Sequence, residues 1–378
     1  MAVALALFCS CGRGKATASL PQGDTIRMEY AERLKMTVYG KYTVVSLADP
    51  WHEGQTLHTY ILADKRTGRQ ADKTTLAELQ AAYPEATVVN VPLKRAVVTT
   101  SVHCGLIMRL GRGESIRGVC DLRYINLPWI RRRHEQGAIA DCGSGITPTL
   151  ETIIDIDADA VLISPFQNSG GYGRLDGWGR PIIETADYME TSALGRAEWM
   201  KFYGMLFGAE KQADSLFTVI ENNYNQLKAT AKQAGKGSSV IIDKVNGAVW
   251  YVPGGNSTIG GIIADANAAY PFAADKSSGS VPLTFEAVME KASEADVWLF
   301  RYNSKQPATY QALASEHDGY SLFKAFKQRQ VYGCNTYYNT FYEDTPFSPD
   351  LLLRDFVIIT HPELQLRLGA PKYFIPLK

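Results

Sequence analysis

Leu194-Gly195-Arg196-Ala197-Glu198-Trp199 opens a stretch that runs from Ala193 to Gly235 without a proline. Along it, apolar residues recur at Leu206, Phe207, Ala213, Leu216, Phe217, Ile220 and Leu227. That is the three-and-four spacing of an amphipathic helix, not the alternation of a strand. Gly235-Lys236-Gly237-Ser238-Ser239 then stops it, as helix-ending glycines do. Mixed strand and helix patterns lie on both sides. A long helix between two such halves predicts a rigid strut joining two lobes, with a cleft between them.

The 378 residues suffice for two domains of ordinary size. They divide into a leader and tether over 1–23, an N-terminal α/β lobe with a β-rich start over 24–192, the linking helix over 193–236 and a C-terminal α/β lobe over 237–378. Lysine plus arginine equals aspartate plus glutamate at 39 each, which leaves no electrostatic case for nucleic acid or an anionic membrane surface. The 20 tyrosines and 6 tryptophans, several in expected loops, suit both cores and ligand clefts, since each ring offers a flat apolar body with a polar handle.

Strands are expected at Lys35–Tyr39, Tyr42–Leu47 and His58–Leu62, followed by a short helix near Leu76 to Tyr83. From Ala96 the rhythm becomes strand-helix-strand, with strands at Ala96–Thr100, Ile116–Cys120, Ala160–Ile163 and Pro181–Glu184. It returns after the strut with Ser239–Asp243, Ala248–Val252, a helix from Gly260 to Ala268, and Val297–Phe300. Such alternation predicts mainly parallel sheets flanked by helices.

Met1 to Phe8 is an apolar run too short to span a bilayer, and it reads as an export signal. Phe8-Cys9-Ser10-Cys11 resembles a bacterial lipobox, which makes Cys11 the expected lipidation site; an ordinary secretory signal is the alternative. Either way the mature protein is expected outside the cytoplasm, in the periplasm and tethered by lipid. Cys104, Cys120, Cys142 and Cys334 then remain, with no metal-ligand spacing. Export permits disulfides, and Cys120 with Cys142 is the first pair to consider; buried free thiols are the alternative.

The two halves echo each other. Thr147-Pro148-Thr149-Leu150-Glu151-Thr152-Ile153-Ile154 precedes Ala158-Asp159-Ala160-Val161-Leu162-Ile163. Pro282-Leu283-Thr284-Phe285-Glu286-Ala287-Val288-Met289 precedes Glu294-Ala295-Asp296-Val297-Trp298-Leu299. In each, a helix with a first-turn glutamate leads through an Asp-containing turn into a strand, and a negative charge is favoured there by the helix dipole.

These paired patterns resemble the substrate-binding components of ABC importers for iron-siderophore, haem and cobalamin. Ala96 to His103 resembles the family's first-lobe strand and ligand loop, Lys324 to Tyr332 its late helix-to-strand step, and Leu352 to Glu363 its closing helix. Ala186 to Trp199 is similar to a Bacteroidetes-type branch. The resemblance covers residues 90–365 and rests on order and spacing, not on any one motif. It implies two lobes moving little about a long helix, no enzymatic activity and no cofactor or metal of its own. The implied cargo is a metal chelate, an iron complex first and a corrinoid second. Implied partners are a membrane permease and its ATPase, with Glu151 and Glu286 docking onto the permease and the chain acting as a monomer. A surface scavenging lipoprotein without a permease is the alternative.

Ligands of α/β sheets lie at loops after strands. In the first lobe these bring His103, Arg123, Tyr124 and Tyr172 to the candidate site; in the second, Trp250, Tyr251, Arg301, Tyr337 and Tyr338. The aromatics would stack on a flat ligand, and the arginines would meet carboxylate or catecholate oxygens. Asp49-Pro50-Trp51-His52 would bring Trp51 to the cleft rim, or merely anchor a turn. Enzyme patterns are missing: Gly143-Ser144-Gly145 is no nucleophile elbow, and neither Gly170-Gly171-Tyr172-Gly173 nor Gly254-Gly255-Asn256 forms a phosphate cradle.

Overall fold

A computed structural model describes residues 20, 22–66, 74–167 and 171–378. The expected lipidation site Cys11 lies outside the described residues. The N-terminal strands β1 (Asp24–Ile26), β2 (Leu34–Tyr39), β3 (Tyr42–Ala48) and β4 (Thr56–Asp64) form an antiparallel meander. Helix α1 (Leu76–Ala82) then crosses to β5 (Thr87–Val91), which pairs parallel to β4. The β-rich start is thus a five-stranded sheet of its own.

The first lobe follows as β6 (Ala96–Val98), α2 (Ser101–Arg109), β7 (Ile116–Val119), α3 (Pro128–Glu135), β8 (Ala140–Asp141), α4 (Leu150–Asp155), β9 (Ala160–Ile163) and β10 (Ile182–Glu184). Its sheet is parallel throughout in the order β10-β9-β6-β7-β8. β6 and β9 are wholly buried, as a parallel strand covered on both faces requires.

The helical connection contains the expected long helix, preceded by two shorter ones. It comprises α5 (Ala193–Glu198), α6 (Met200–Phe207) and α7 (Glu210–Ala234). Gly208 ends α6 in the left-handed region at φ 65°, which a side chain would strain. Only α7 is strut-like: its 25 residues span about 37 Å. Ala213, Phe217, Ile220, Tyr224, Leu227 and Ala231 bury one stripe of it against α6 and the later helix Pro349–Thr360.

The second lobe runs β11 (Gly237–Ile242), β12 (Val245–Asn246), β13 (Val249–Pro253), α8 (Thr258–Asp265), β14 (Ala268–Ala269), β15 (Ser280–Leu283), α9 (Phe285–Ala292), β16 (Val297–Tyr302), α10 (Tyr310–Glu316), α11 (Lys324–Lys327), β17 (Val331–Asn335), α12 (Phe341–Asp344), α13 (Pro349–Thr360), α14 (Gln365–Leu368) and β18 (Ile375–Pro376). Its main sheet is β14-β11-β16-β17-β18, parallel except for β18. The strand at Val249–Pro253 departs from the expected parallel pattern: it centres a separate antiparallel sheet, β12-β13-β15.

One apolar core runs without interruption from the N-terminal sheet through both lobes and the connection, including Met36, Val98, Leu106, Phe202, Phe217, Ile242 and Phe356. A carboxylate collar fastens the N-terminal sheet to it. Glu198, with no exposed surface, accepts the backbone N–H groups of Glu29, Tyr30 and Ala31 at 2.9–3.1 Å and the Lys201 ammonium at 2.7 Å. Glu190 accepts those of Glu32 and Arg33 and the Trp199 indole N–H. Burial works to raise the Glu198 carboxyl, but Lys201 and the three N–H donors prevail and hold it below its ordinary value.

Candidate functional site

A cavity of about 730 Å³ opens between the lobes at the carboxyl ends of β7, β16 and β17. Arg123, Tyr124, Asn126 and Arg131 form its first-lobe wall; Asn303, Thr336, Tyr337, Tyr342 and Glu343 form the second.

Short local bonds hold each wall. Asp121, left-handed at φ 51°, turns the chain out of β7, and its carboxylate accepts the Gly145 N–H at 2.9 Å. Arg131 donates to the carbonyls of Ile125 at 2.7 Å and Arg123 at 3.2 Å, clamping the loop that carries Arg123. The Arg123 guanidinium lies 4.6 Å from the Tyr124 ring, a cation–π contact that leaves its charge available. In the second lobe the Asn335 side-chain oxygen accepts the N–H groups of Ser304 and Tyr337, and its amide donates to the Ser304 carbonyl at 2.8 Å. Both cleft loops are thereby tied to one residue.

The floor is bonded across the lobes. Glu343 accepts the Asn126 N–H at 3.2 Å, and the Asn126 side-chain amide donates to the Thr336 carbonyl. Burial pushes the Glu343 carboxyl up despite those donors, and neighbouring Asp344 adds to the rise. Gly105 of α2 makes room for this contact, since a Cβ there would stand 2.6 Å from the Glu343 carbonyl oxygen.

Of the residues expected from sequence, Arg123, Tyr124 and Tyr337 line the cleft together. Tyr338 packs edge-on against Tyr337 at 4.8 Å and is 69 % exposed. Arg301 is bound to Asp243 through two donors, Nε to Oδ1 at 3.0 Å and a terminal nitrogen to Oδ2, so its fork is already engaged. Trp250 is not a cleft residue: it is fully buried, stacked on Trp298 at 5.6 Å, and donates its indole N–H to Ile242. Tyr251 points to the other face of β13 and is absent from the cleft wall, as is Trp51, held in the β3–β4 turn by Asp49. Tyr172 donates its hydroxyl to Glu184 at 2.6 Å at the far edge of the first sheet. His103 is buried and paired with Asp187 at 2.8 Å. Cys120 and Cys142 are buried free thiols, not a disulfide.

Glu151 and Glu286 are exposed in the first turns of α4 and α9, on different lobes. Glu151 pairs with Arg174 at 2.6 Å. Sequence reading passed over Asn126, Arg131, Tyr342 and Glu343, which sit just beyond the loops it selected. The Pro128 that starts α3 signals that the post-β7 loop extends through Leu127.

The family model described as periplasmic binding protein matches residues 107–338, more than half of the chain. An uncharacterized lipoprotein of Methanocaldococcus jannaschii is 26% identical over 288 residues, 73% of this chain and 67% of that protein. Among solved structures, a molybdate periplasmic binding protein of a Haemophilus influenzae ABC transporter superposes with a TM-score of 0.57 at 16% identity, covering 73% of this chain and 89% of its own. The Fe3+–Desferal-bound siderophore binding protein of Vibrio cholerae gives 0.53 at 16%, covering 71% and 99%.

Proposed function

The chain belongs to the periplasmic binding protein family, and from that premise we propose that it is the extracytoplasmic solute-binding component of an ABC importer. In this reading it is exported, held at the membrane by a lipid on Cys11, and captures an iron complex, siderophore or haem, between its lobes. The observation that carries the reading is the cleft itself. Its volume of about 730 Å³ lies in the range of small-molecule sites, and its walls join a guanidinium with no ion pair among the described residues to tyrosine rings.

Among the described residues no three His, Cys, Asp or Glu side chains converge to hold a metal. In this reading the protein supplies charge and flat aromatic surface around the chelate. Delivery falls to Glu151 and Glu286, exposed carboxylates on separate lobes that would fix the register of a basic permease surface.

Calorimetric titration with ferric siderophores, haemin and cobalamins tests the cargo. Saturable binding of an iron complex that weakens in Arg123→Ala is the expected outcome. Silence across all three classes would sink the receptor reading, and binding of cobalamins alone would replace iron with a corrinoid.

A further inference from the structure

A smaller recess of about 280 Å³ opens at the carboxyl ends of β6 and β9. β6 lies between β9 and β7 in the sheet, and β7 carries the Arg123 wall of the cleft. Recess and cleft thus open at the same end of one sheet, over neighbouring strands about 5 Å apart.

A buried relay runs behind the recess. Asp187, without exposed surface, meets His103 Nε2 at 2.8 Å through Oδ1 and accepts Arg196 Nε at 3.0 Å through Oδ2. Burial works against the Asp187 charge, but His103 and Arg196 outweigh it and hold the carboxyl below the ordinary range. The other ring nitrogen, Nδ1, lies 3.0 Å from the Thr100 hydroxyl. That hydroxyl is thereby engaged within the relay. Arg196 has not spent its donors: no described hydrogen bond engages its two terminal nitrogens, and the side chain remains 21 % exposed where it lines the recess. The Ser164 hydroxyl lines the same space without a described partner, and Phe166 and Tyr188 form an aromatic rim.

We propose that this recess is an oxyanion subsite of the cargo cleft, in which the terminal nitrogens of Arg196 take a carboxylate or a similar small oxyanion, Ser164 donates a further hydrogen bond, and Asp187 acts as the positioning residue. The inference rests on the cleft reading above and narrows it: the cargo carries a peripheral anionic group beside its metal. Fixing Nε on Asp187 presents the guanidinium fork ready-oriented, the arrangement in which bidentate recognition is strongest.

The test uses the intact protein and needs no known cargo. Phenylglyoxal modification of Arg196 is followed by peptide mass spectrometry with metal-free citrate, with molybdate, and with neither; the highly exposed Arg27 serves as the internal standard. Slowing of Arg196 relative to Arg27 by citrate alone identifies a carboxylate on an organic cargo, and slowing by molybdate alone identifies a free inorganic oxyanion. Equal rates in all three overturn the subsite, whether or not chelates bind the cleft. Protection without any chelate binding instead removes the receptor reading and leaves the anion site standing. In parallel, Arg196→Gln should weaken binding of haemin, which bears carboxylates, about tenfold or more while leaving cyanocobalamin unaffected, and Arg196→Lys should restore part of the loss. An equal loss for both ligands would mean that Arg196 serves the fold and not the anion.

Discussion

Glu343, carried by the second lobe, accepts the backbone N–H of Asn126 in the first at 3.2 Å while only 3 % exposed. The two lobes therefore share a partly buried hydrogen bond at the floor of the cleft, in addition to the core that runs through them. A bond across the floor opposes separation of the lobes, and whatever order is present before capture need not be supplied by the cargo.

Replacing the charge at this floor should stabilise the protein. The folded Glu343 carboxyl is raised, so its ionised form is disfavoured by folding. Its favourable contribution is complete below the unfolded value of about 4.3 and is lost as pH rises through the raised folded value. Glu343→Gln keeps the acceptor for Asn126 without the charge. The melting temperature at pH 7 should rise by on the order of 2 °C, and the gain should disappear near pH 4. A gain that persists at pH 4 would show that desolvated charge is not the cause.

Gly105→Ala should loosen the same floor. The new methyl would stand 2.6 Å from the Glu343 carbonyl oxygen, a backbone atom that cannot turn aside. A loss of about 1–3 kcal/mol in denaturant unfolding is expected, typical of overpacking. An unchanged midpoint would mean that α12 can slide on α2.

Trp250 and Arg123 should separate core from cleft. Trp250→Ala removes a fully buried ring from the Trp298 stack and should cost about 3–5 kcal/mol of stability, with chelate affinity intact wherever the chain stays folded. Arg123→Ala should do the reverse, leaving the melting curve unmoved while affinity falls about tenfold. Arg301→Ala belongs with Trp250, since it strands Asp243.

Charge reversal at Glu151 and Glu286, the carboxylates proposed to dock on the permease, should reduce uptake. Glu286→Arg places a cation where no described ion pair exists, whereas Glu151→Arg also sets two exposed arginines, 151 and 174, against each other. Both should leave chelate affinity within about twofold while transport in proteoliposomes with the cognate permease drops steeply, as the loss of one partner of an interfacial pair does. Affinity that collapses with uptake preserved would move these carboxylates into the site.

Cys11→Ala, or globomycin treatment, should release the protein from the membrane fraction or leave its leader uncleaved. Membrane retention of a processed mutant would exclude a lipid on that cysteine.

Much of the architecture was legible because burial imposes periods. The runs at Val97-Val98 and Ala160–Ile163 read as covered parallel strands and are such. The loops after β7 and β17 were found because ligands of α/β sheets collect there, which brought Arg123, Tyr124 and Tyr337 to the cleft. Trp250 was misplaced because alternation puts Trp250 and Tyr251 on opposite faces of β13 without saying which face meets the core. Asp187, which turns His103 inward, lies 84 residues away from it, beyond any local pattern. The break at Gly208 was hidden because an isolated glycine inside a helical pattern is as often tolerated as terminal.

The collar of Glu190 and Glu198 also sets a timetable for biosynthesis. Residues 29–33 leave the ribosome 157 to 169 residues ahead of the carboxylates that receive their N–H groups. At translation rates of about 5–20 residues per second the interval is on the order of 10 s. Throughout it the sheet that carries Met36, Leu47 and Tyr60, which finish without exposed surface, lacks the connecting helices with which it shares its core. A nascent chain shorter than about 200 residues is thus an apolar sheet without its support, in need of a chaperone or of translocation before it pairs with a neighbour. Polypeptides terminated before Glu190 should accumulate as aggregates or proteolytic fragments, never as a soluble N-terminal half.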